Sequence, residues 1–252
     1  MTALDSGRRV ALVTGASRGI GAAIARRLAK GGLHVVVNHR TSKELAYAVV
    51  EEICASGATA SVLQADLTDL TASRTMISRI RETCGRLDVL VNNAGRSEDG
   101  LFLLMPPEKW WSVFTDNIAT VVNCTRAALP LLMAVRQRPT AVVNISSISG
   151  LRGVEGHTAY GAAKAAIIGF TRALARELAG QNVAVNCIAP GPIDTAMYGH
   201  VSDERKARRL AAMPLGRLGT PEEVAEVVAL VAENKARFIQ GQVIPIDGGI
   251  TA

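Results

Sequence analysis

Short apolar runs alternate with stretches of helical spacing along the whole chain. The apolar runs stand at Val10–Thr14, His34–Asn38, Ala60–Gln64, Val89–Val91, Ala141–Ile145, Ala184–Ile188 and Gln242–Ile246. Continuous runs of this kind are typical of strands that are buried on both faces of a sheet. Helical spacing occupies the intervals, near residues 20–31, 43–55, 71–84, 107–136, 158–179 and 221–233. The alternation predicts the α/β class, with a parallel sheet between two layers of helices.

No boundary between domains is visible in the chain. It has 252 residues, of which 48% are hydrophobic, and this length and composition fit one large α/β domain with a substantial core. We therefore expect residues 1–252 to form a single domain. The main irregular segment is residues 189–220, where prolines and glycines flank the charged residues 202–209. We expect residues 192–215 to form a lid over a pocket, with an ordinary surface excursion as the alternative.

Composition argues against several locations and classes of site. No window approaches the roughly 18 uninterrupted apolar residues of a membrane span, and the N-terminus lacks the apolar core of a signal peptide. Scattered cysteines suit reduced thiols in the cytoplasm better than disulfides or zinc, and the histidines lack ligand spacing. These residues are Cys54, Cys84, Cys124, Cys187, His34, His39, His157 and His200. We expect a cytoplasmic protein without a metal site.

The net charge indicates the kind of partner. A charge of +6 attracts anions such as a dinucleotide or an acidic carrier protein. Aromatic residues make up only 4% of the chain, and its arginines are dispersed. Nucleic-acid sites combine clustered cations with stacking side chains, so we expect no nucleic-acid partner.

A glycine-rich turn follows the first apolar run. Residues 15–21 read Gly-Ala-Ser-Arg-Gly-Ile-Gly and precede a strongly helical stretch. Glycines let the backbone turn tightly and approach a pyrophosphate, and the N-terminus of the helix offers free N–H groups. The spacing differs from the commoner Gly-x-Gly-x-x-Gly fingerprint. The turn predicts a phosphate site, with a glycine turn that binds no ligand as the alternative.

Tyr160 and Lys164 stand four residues apart in a predicted helix, so their side chains share one face. A cation beside a phenol favours the phenolate and is expected to lower the pKa of Tyr160 from about 10. A serine at the end of the preceding run, Ser146 or Ser147, is placed to hold a carbonyl group that receives the proton. Taken alone, the pair is also compatible with an ordinary surface helix.

Together these motifs resemble the short-chain dehydrogenase/reductase family over nearly the whole chain. The matching residues are Thr14–Gly21, Asp66, Asn92–Gly95, Asn117, Ser147, Tyr160, Lys164, Pro190–Gly191 and Ile246–Gly249. The resemblance implies a three-layer Rossmann-type fold with a seven-stranded parallel sheet, a nicotinamide cofactor, and interconversion of a carbonyl and an alcohol.

The resemblance also assigns roles to residues. The implied catalytic set is Asn117, Ser147, Tyr160 and Lys164, and the spacing before Tyr160 favours Ser147 over Ser146. The implied cofactor-binding residues are Gly15, Ser17, Arg18, Gly19, Ile20, Gly21, Asn38, Arg40, Asp66, Leu67, Asn93, Ala94, Gly95, Tyr160, Lys164, Pro190, Gly191, Ile193 and Thr195. Asp66 is expected to meet the adenine, and capping the next helix is its alternative role.

The end of the second apolar run bears on the choice of cofactor. It reads Asn38-His-Arg40, without the carboxylate that NAD-preferring relatives use on the ribose hydroxyl. Arg18 and Arg40 are near enough in sequence to this point to meet a ribose phosphate, although either can be a solvated surface cation. We expect NADP(H) to be preferred over NAD(H).

Within the family, the resemblance is closest to 3-oxoacyl-[acyl-carrier-protein] reductases of fatty acid biosynthesis. It implies an acyl carrier protein as a possible partner, with Arg136 and Arg138 as candidate carrier contacts. It also implies a homotetramer formed through 107–136, 158–179 and the region of the C-terminal strand. Another small ketone, sugar, polyol or steroid alcohol is the alternative substrate. A non-catalytic NADP-binding sensor or scaffold is the alternative function. We expect Trp110 and Trp111 to lie in the core, with packing between helices or a place in the substrate wall as the alternatives.

Overall fold

Seven parallel strands form the centre of the molecule. The computed structural model describes residues 7–135, 138–195, 210–211, 213–233 and 238–252. The strands are β1 (Val10–Val13), β2 (His34–His39), β3 (Thr59–Gln64), β4 (Val89–Asn92), β5 (Thr140–Ile145), β6 (Val183–Pro190) and β7 (Val243–Ile246). They lie in the order β3-β2-β1-β4-β5-β6-β7, and every neighbouring pair is parallel. The predicted sheet is confirmed.

Helices cover both faces of the sheet. They are α1 (Gly19–Lys30), α2 (Lys43–Ala55), α3 (Leu70–Cys84), α4 (Pro107–Met133), α5 (Thr158–Leu178) and α6 (Pro221–Ala232). The helices α1, α2 and α6 share one core cluster, whereas α3, α4 and α5 share the other. No helix in the described part of the chain is long and apolar enough to cross a membrane.

The two cores follow from the alternation of side chains along each strand. In β1, Ala11 and Val13 join the cluster on the α1 side, and Val10 and Leu12 join the cluster on the α3 side. All four are buried. Because successive strand residues point to opposite faces, a strand between two helical layers is apolar at most of its positions.

The strand order places a crevice at one edge of the sheet. The chain winds from β1 outward to β3, then returns to the other side of β1 and winds outward from β4. In sheets of this kind, ligands bind beside the carboxyl ends of the strands, where the winding direction reverses. The loops after β1 and β4 meet at this point.

Two expectations about side chains are wrong. Trp111 is 60% exposed, and its ring contacts Trp110 and Phe114 on the outer side of α4 instead of entering the core. The helix-capping alternative for Asp66 is also wrong, because Asp69 caps α3 by accepting a hydrogen bond from the Thr71 N–H.

The segment interpreted as a lid lies largely outside the described residues. Residues 196–209 and 212 are not described, and neither is Arg136. The segment is described again around Met213, which is buried.

Candidate active site

The glycine turn is tied to the loop after β4 by reciprocal hydrogen bonds. The Thr14 hydroxyl oxygen accepts from the backbone N–H groups of Asn93 and Ala94, each at 2.9 Å. In return, the Asn93 amide donates to the Thr14 and Gly15 carbonyls at 2.9 and 3.1 Å. These bonds fix the two loops on either side of the crevice relative to each other.

Two glycines of the turn are required by this close approach. Gly15 has a φ of +60°, and a Cβ there would lie 2.9 Å from the Ala94 Cα. A Cβ at Gly21 would lie 2.5 Å from the Asn93 Nδ2. Only glycine therefore lets α1 begin directly beside the β4 loop. The side chain of the N-cap residue, Arg18, makes no capping hydrogen bond, so the first N–H groups of α1 are available to the crevice as an anion site.

A cavity of about 330 Å³ extends from the glycine turn to the ends of β2 and β3. The predicted cofactor residues that line it are Gly15, Ser17, Arg18, Gly19, Ile20, Gly21, Asn38, Arg40, Asp66, Leu67, Asn93, Ala94, Gly95 and Thr195. Asn38 is buried, and its side-chain oxygen accepts from the Gly15 N–H at 3.3 Å. Its position is that of a residue that supports the turn.

Two arginines stand at the β2 end of this cavity. Arg40 is 55% exposed and lies 3.8 Å from the Asp66 carboxylate, and Arg18 donates to the Ser42 hydroxyl at 3.0 Å. Partial burial would raise the pKa of Asp66, but hydrogen bonds from Thr68 and the charge of Arg40 lower it below its usual value. The cavity end is therefore a cationic patch with an ionised carboxylate at its side.

A second cavity of about 860 Å³ adjoins the first. The two share Ile20, Asn93, Gly95, Arg96 and Thr195 in their linings. The remaining predicted residues Ser147, Tyr160, Lys164, Pro190, Gly191 and Ile193 line the second cavity. Of all the predicted site residues, only Asn117 lines neither cavity.

Asn117 lies directly behind the lining. It is fully buried, and its amide donates to the Arg96 and Val113 carbonyls, each at 2.8 Å. Its oxygen has no hydrogen-bond partner among the described residues. A Cβ at Gly95 would lie 2.5 Å from this oxygen and 3.5 Å from the Lys164 Nζ. The acceptor of Asn117 and the ammonium of Lys164 thus flank the same glycine.

The environment of Tyr160 differs from the sequence expectation. Burial raises the pKa of Tyr160 to about 12, with the Asp99 carboxylate adding to the shift and a hydrogen bond with Ser147 opposing it. Burial also lowers the pKa of Lys164 to about 8. The lysine Nζ donates to the Ile145 carbonyl at 2.9 Å and lies 5.5 Å from the Tyr160 ring centroid. The expected lowering of the Tyr160 pKa is wrong because burial dominates.

The two candidate serines have different surroundings. The Ser146 hydroxyl is buried and donates to the Lys164 carbonyl at 2.8 Å, which ties β5 to α5. Ser147 is partly exposed, lines the second cavity, and is hydrogen-bonded to Tyr160. Ser147 is the serine that a carbonyl substrate can reach.

Several residues that line the two cavities were not predicted from the sequence. They are Asp99, Ser149, Arg152 and His157 in the second cavity and Thr41, Ser42, Arg96, Asp116 and Thr120 in the first. Each comes from a loop or helix whose position depends on tertiary packing, and no spacing in the sequence marks them. Among the described residues, no cluster of histidine, cysteine or acidic side chains can hold a metal ion.

Comparison with known proteins agrees with this geometry. Residues 15–251 match the family model described as enoyl-(acyl carrier protein) reductase. The chain is 45% identical over 240 residues to 3-oxoacyl-[acyl-carrier-protein] reductase FabG of Staphylococcus aureus strain Mu50, covering 95% of this chain and 97% of that protein. It is 43% identical over 251 residues to the 3-oxoacyl-[acyl-carrier-protein] reductase of a Synechocystis species, covering 99% of each.

Two similar solved structures were determined with a nicotinamide dinucleotide. One is a blue fluorescent protein from a metagenomic library in complex with NADPH, with a TM-score of 0.89 and 35% identity, covering 97% of this chain and 98% of that one. The other is the Pseudomonas aeruginosa RhlG/NADP active-site complex, with a TM-score of 0.90 and 36% identity, covering 97% and 96%. Sequence, fold and site agree, and the chain belongs to the short-chain dehydrogenase/reductase family of nicotinamide-dependent oxidoreductases.

Proposed function

We propose that this oxidoreductase reduces the ketone of a 3-oxoacyl thioester to a secondary alcohol, with NADPH as the preferred cofactor. The observation that carries the proposal is the meeting of Ser147, Tyr160 and Lys164 in a cavity continuous with the glycine-turn cavity. The relatives named above are reductases of 3-oxoacyl groups on a carrier protein, which favours this substrate over a sugar or steroid.

When bound, the reduced nicotinamide supplies the hydride that the carbonyl carbon receives. The phenol of Tyr160 donates its proton to the carbonyl oxygen, and the Ser147 hydroxyl donates a hydrogen bond to the same atom. A pKa of about 12 keeps Tyr160 protonated at neutral pH, which is the form that reduction consumes. The charge of Lys164 stabilises the phenolate left behind. The family resemblance implies that Asn117 holds a water between Lys164 and solvent, and its buried side-chain oxygen without a described partner supports this role in replacing the proton.

The residues present fit a dinucleotide with a ribose phosphate. The N-terminus of α1 and the glycine turn receive the pyrophosphate. Arg18 and Arg40 at the β2 end receive the additional phosphate, since guanidinium groups bind phosphate oxygens in pairs. Similar folds solved with NADPH and NADP support this preference.

Carrier recognition, assembly and location are parts of the same proposal. An acyl carrier protein is a fitting partner for a chain with a charge of +6, and exposed Arg138 is the described candidate contact. A homotetramer through α4 and α5 and a cytoplasmic location accord with the family resemblance. Light scattering at micromolar concentration tests the assembly, and a monomer would contradict it.

The test is NADPH oxidation in the presence of acetoacetyl-coenzyme A, followed by absorbance. We expect saturable turnover by the wild-type protein and almost none by Tyr160→Phe, which keeps the ring and its packing. Binding of NADPH without turnover of this thioester or of a panel of ketones would contradict the proposal and favour a sensor.

A further inference from the structure

A continuous chain of hydrogen bonds crosses one wall of the second cavity. The Ser149 hydroxyl lies 3.0 Å from His157 Nδ1, and His157 Nε2 lies 2.9 Å from Asp99 Oδ1. Asp99 comes from the loop after β4, and Ser149 from the turn after β5. His157 immediately precedes α5. All three residues line the cavity that contains Tyr160 and Ser147.

The direction of these bonds depends on the protonation of His157, and we assign the neutral ring with its hydrogen on Nε2. An ionised carboxylate only accepts hydrogen bonds, so His157 Nε2 carries the hydrogen that Asp99 receives. In the neutral imidazole, Nδ1 is then an acceptor, and the Ser149 hydroxyl must donate to it. The hydrogen of the Ser149 hydroxyl is therefore donated to His157, and the oxygen keeps lone pairs that can accept from another group. It acts as an acceptor in the cavity.

This acceptor is close to the reacting groups. The Ser149 N–H donates to the Ser147 hydroxyl oxygen at 3.1 Å, and the His157 ring stands edge-on to the Tyr160 ring, with centroids 5.6 Å apart. Ser149 thus lines the same cavity as Ser147 and Tyr160, the residues proposed to hold the reacting carbonyl. The side chain of His157 is only 12% exposed, so the wall is held in place by packing as well as by hydrogen bonds.

We propose that Ser149, positioned by His157 and Asp99, binds a hydroxyl group next to the reacting carbonyl, so that hydroxyketones are a further substrate class. The inference rests on the proposed reduction at Tyr160 and extends its substrates. A hydroxyl hydrogen satisfies the Ser149 lone pair, whereas an alkyl group placed there would leave that oxygen desolvated without a partner.

A serine, histidine and carboxylate in a chain can also activate a nucleophile. Such catalysis needs N–H donors beside the serine to stabilise the oxyanion. Here the N–H of Ser149 bonds to Ser147 Oγ and the N–H of Gly150 bonds to the Ser147 carbonyl. These donors are already used, which favours recognition over nucleophilic attack.

The experiment compares kcat/KM with NADPH for acetoin and butanone, two ketones that differ by one hydroxyl next to the carbonyl. Acetoacetyl-coenzyme A is a third substrate that tests the proposed function separately. The variants are Ser149→Ala, Ser149→Thr, which keeps a hydroxyl, and His157→Leu, which removes the group that orients Ser149. Ser78→Ala on α3 serves as the matched control, because it removes a serine hydroxyl whose hydrogen bond, among the described residues, is to Glu82.

We expect the wild-type protein to prefer acetoin over butanone. Ser149→Ala should lower kcat/KM for acetoin by about 5- to 10-fold, the effect of one hydrogen bond, and change that for butanone less than about twofold. Ser149→Thr should retain the preference, and His157→Leu should weaken it. Ser78→Ala should leave it unchanged.

Equal losses for both ketones in Ser149→Ala, or a wild-type protein that does not prefer acetoin, would overturn the inference while the proposed function stands. Absence of wild-type turnover with acetoacetyl-coenzyme A and with both ketones would refute the proposed function and the inference together.

Discussion

Gly95→Ala tests whether Asn117 acts through its buried side-chain oxygen. A Cβ at residue 95 would lie 2.5 Å from the Asn117 oxygen, and ordinary contact begins near 3.4 Å. The oxygen must therefore move by about 0.9 Å, because van der Waals repulsion is steep at this distance. The same Cβ would lie 3.5 Å from the Lys164 Nζ, which is ordinary contact, so the ammonium is not displaced.

The magnitude follows from the bonds that Asn117 makes. Its amide donates to the Arg96 and Val113 carbonyls, and weakening both bonds costs about 1–3 kcal/mol of unfolding free energy at about 0.5–1.5 kcal/mol each. A displacement of about 1 Å in a supporting group can lower turnover about 100-fold. We expect both effects in Gly95→Ala, measured by urea unfolding and by kcat for acetoacetyl-coenzyme A with NADPH.

A matched control and a double variant isolate the cause. A Cβ at Gly180, just after α5, meets no heavy atom of the described residues within 4 Å, so Gly180→Ala should stabilise the protein by up to about 1 kcal/mol by reducing the freedom of the unfolded chain. Asn117→Ala removes the oxygen that the new methyl group strikes. In an Asn117→Ala background, Gly95→Ala should therefore lower the unfolding free energy by little more. Full additivity of the two changes, or a kcat for Gly95→Ala within threefold of wild type, would refute this reasoning.

Three further predictions concern proton transfer, cofactor choice and pH. Tyr160→Phe should fold normally and lose at least about 100-fold in kcat, the typical contribution of a positioned acid; near-normal kcat in steady-state assays would contradict this. Replacing both Arg18 and Arg40 with Ala should raise KM for NADPH about tenfold or more and leave KM for NADH nearly unchanged, and an equal rise for both cofactors would argue against a phosphate contact. Burial lowers the pKa of His34 in the folded protein. Between this lowered pKa and the unfolded value of about 6.5, the unfolded state binds more protons than the folded state. The unfolding free energy therefore falls as the pH falls, by at most about 1.4 kcal/mol per pH unit. When the unfolding free energy is measured in urea from pH 7 to pH 5, His34→Gln should not show this decrease. If wild type and His34→Gln lose the same free energy over this range, His34 is not the source.

The sheet was accessible from sequence because its strands obey a simple rule. A strand covered on both faces is apolar at most of its positions, and valine-rich runs such as Val35–Val37 are easily recognised. The glycine turn was predictable because residues 15–21 stand between an apolar run and a helical stretch. The structure adds that a Cβ at Gly15 or Gly21 would collide with the β4 loop.

Features that depend on the sum of many contacts were not accessible. The exposure of Trp111 depends on which side of α4 meets the sheet, and aromatic residues alone do not specify that side. The raised pKa of Tyr160 depends on the amount of surrounding protein. The bond between Asp99 and His157 joins residues 58 positions apart. They lie in two loops, and no sequence motif predicts that these loops come together.

The reciprocal bonds between Thr14 and Asn93 have a consequence for how specificity can diversify. Since they join the glycine turn and the β4 loop in the folded chain, the conformational entropy of ordering that side of the crevice is lost during folding and not when the nucleotide arrives. Substitutions in the wall formed by Ser149 and His157 should therefore have little effect on the affinity for the nucleotide. New ketones can be accommodated by substituting that wall, with the machinery for hydride delivery left intact.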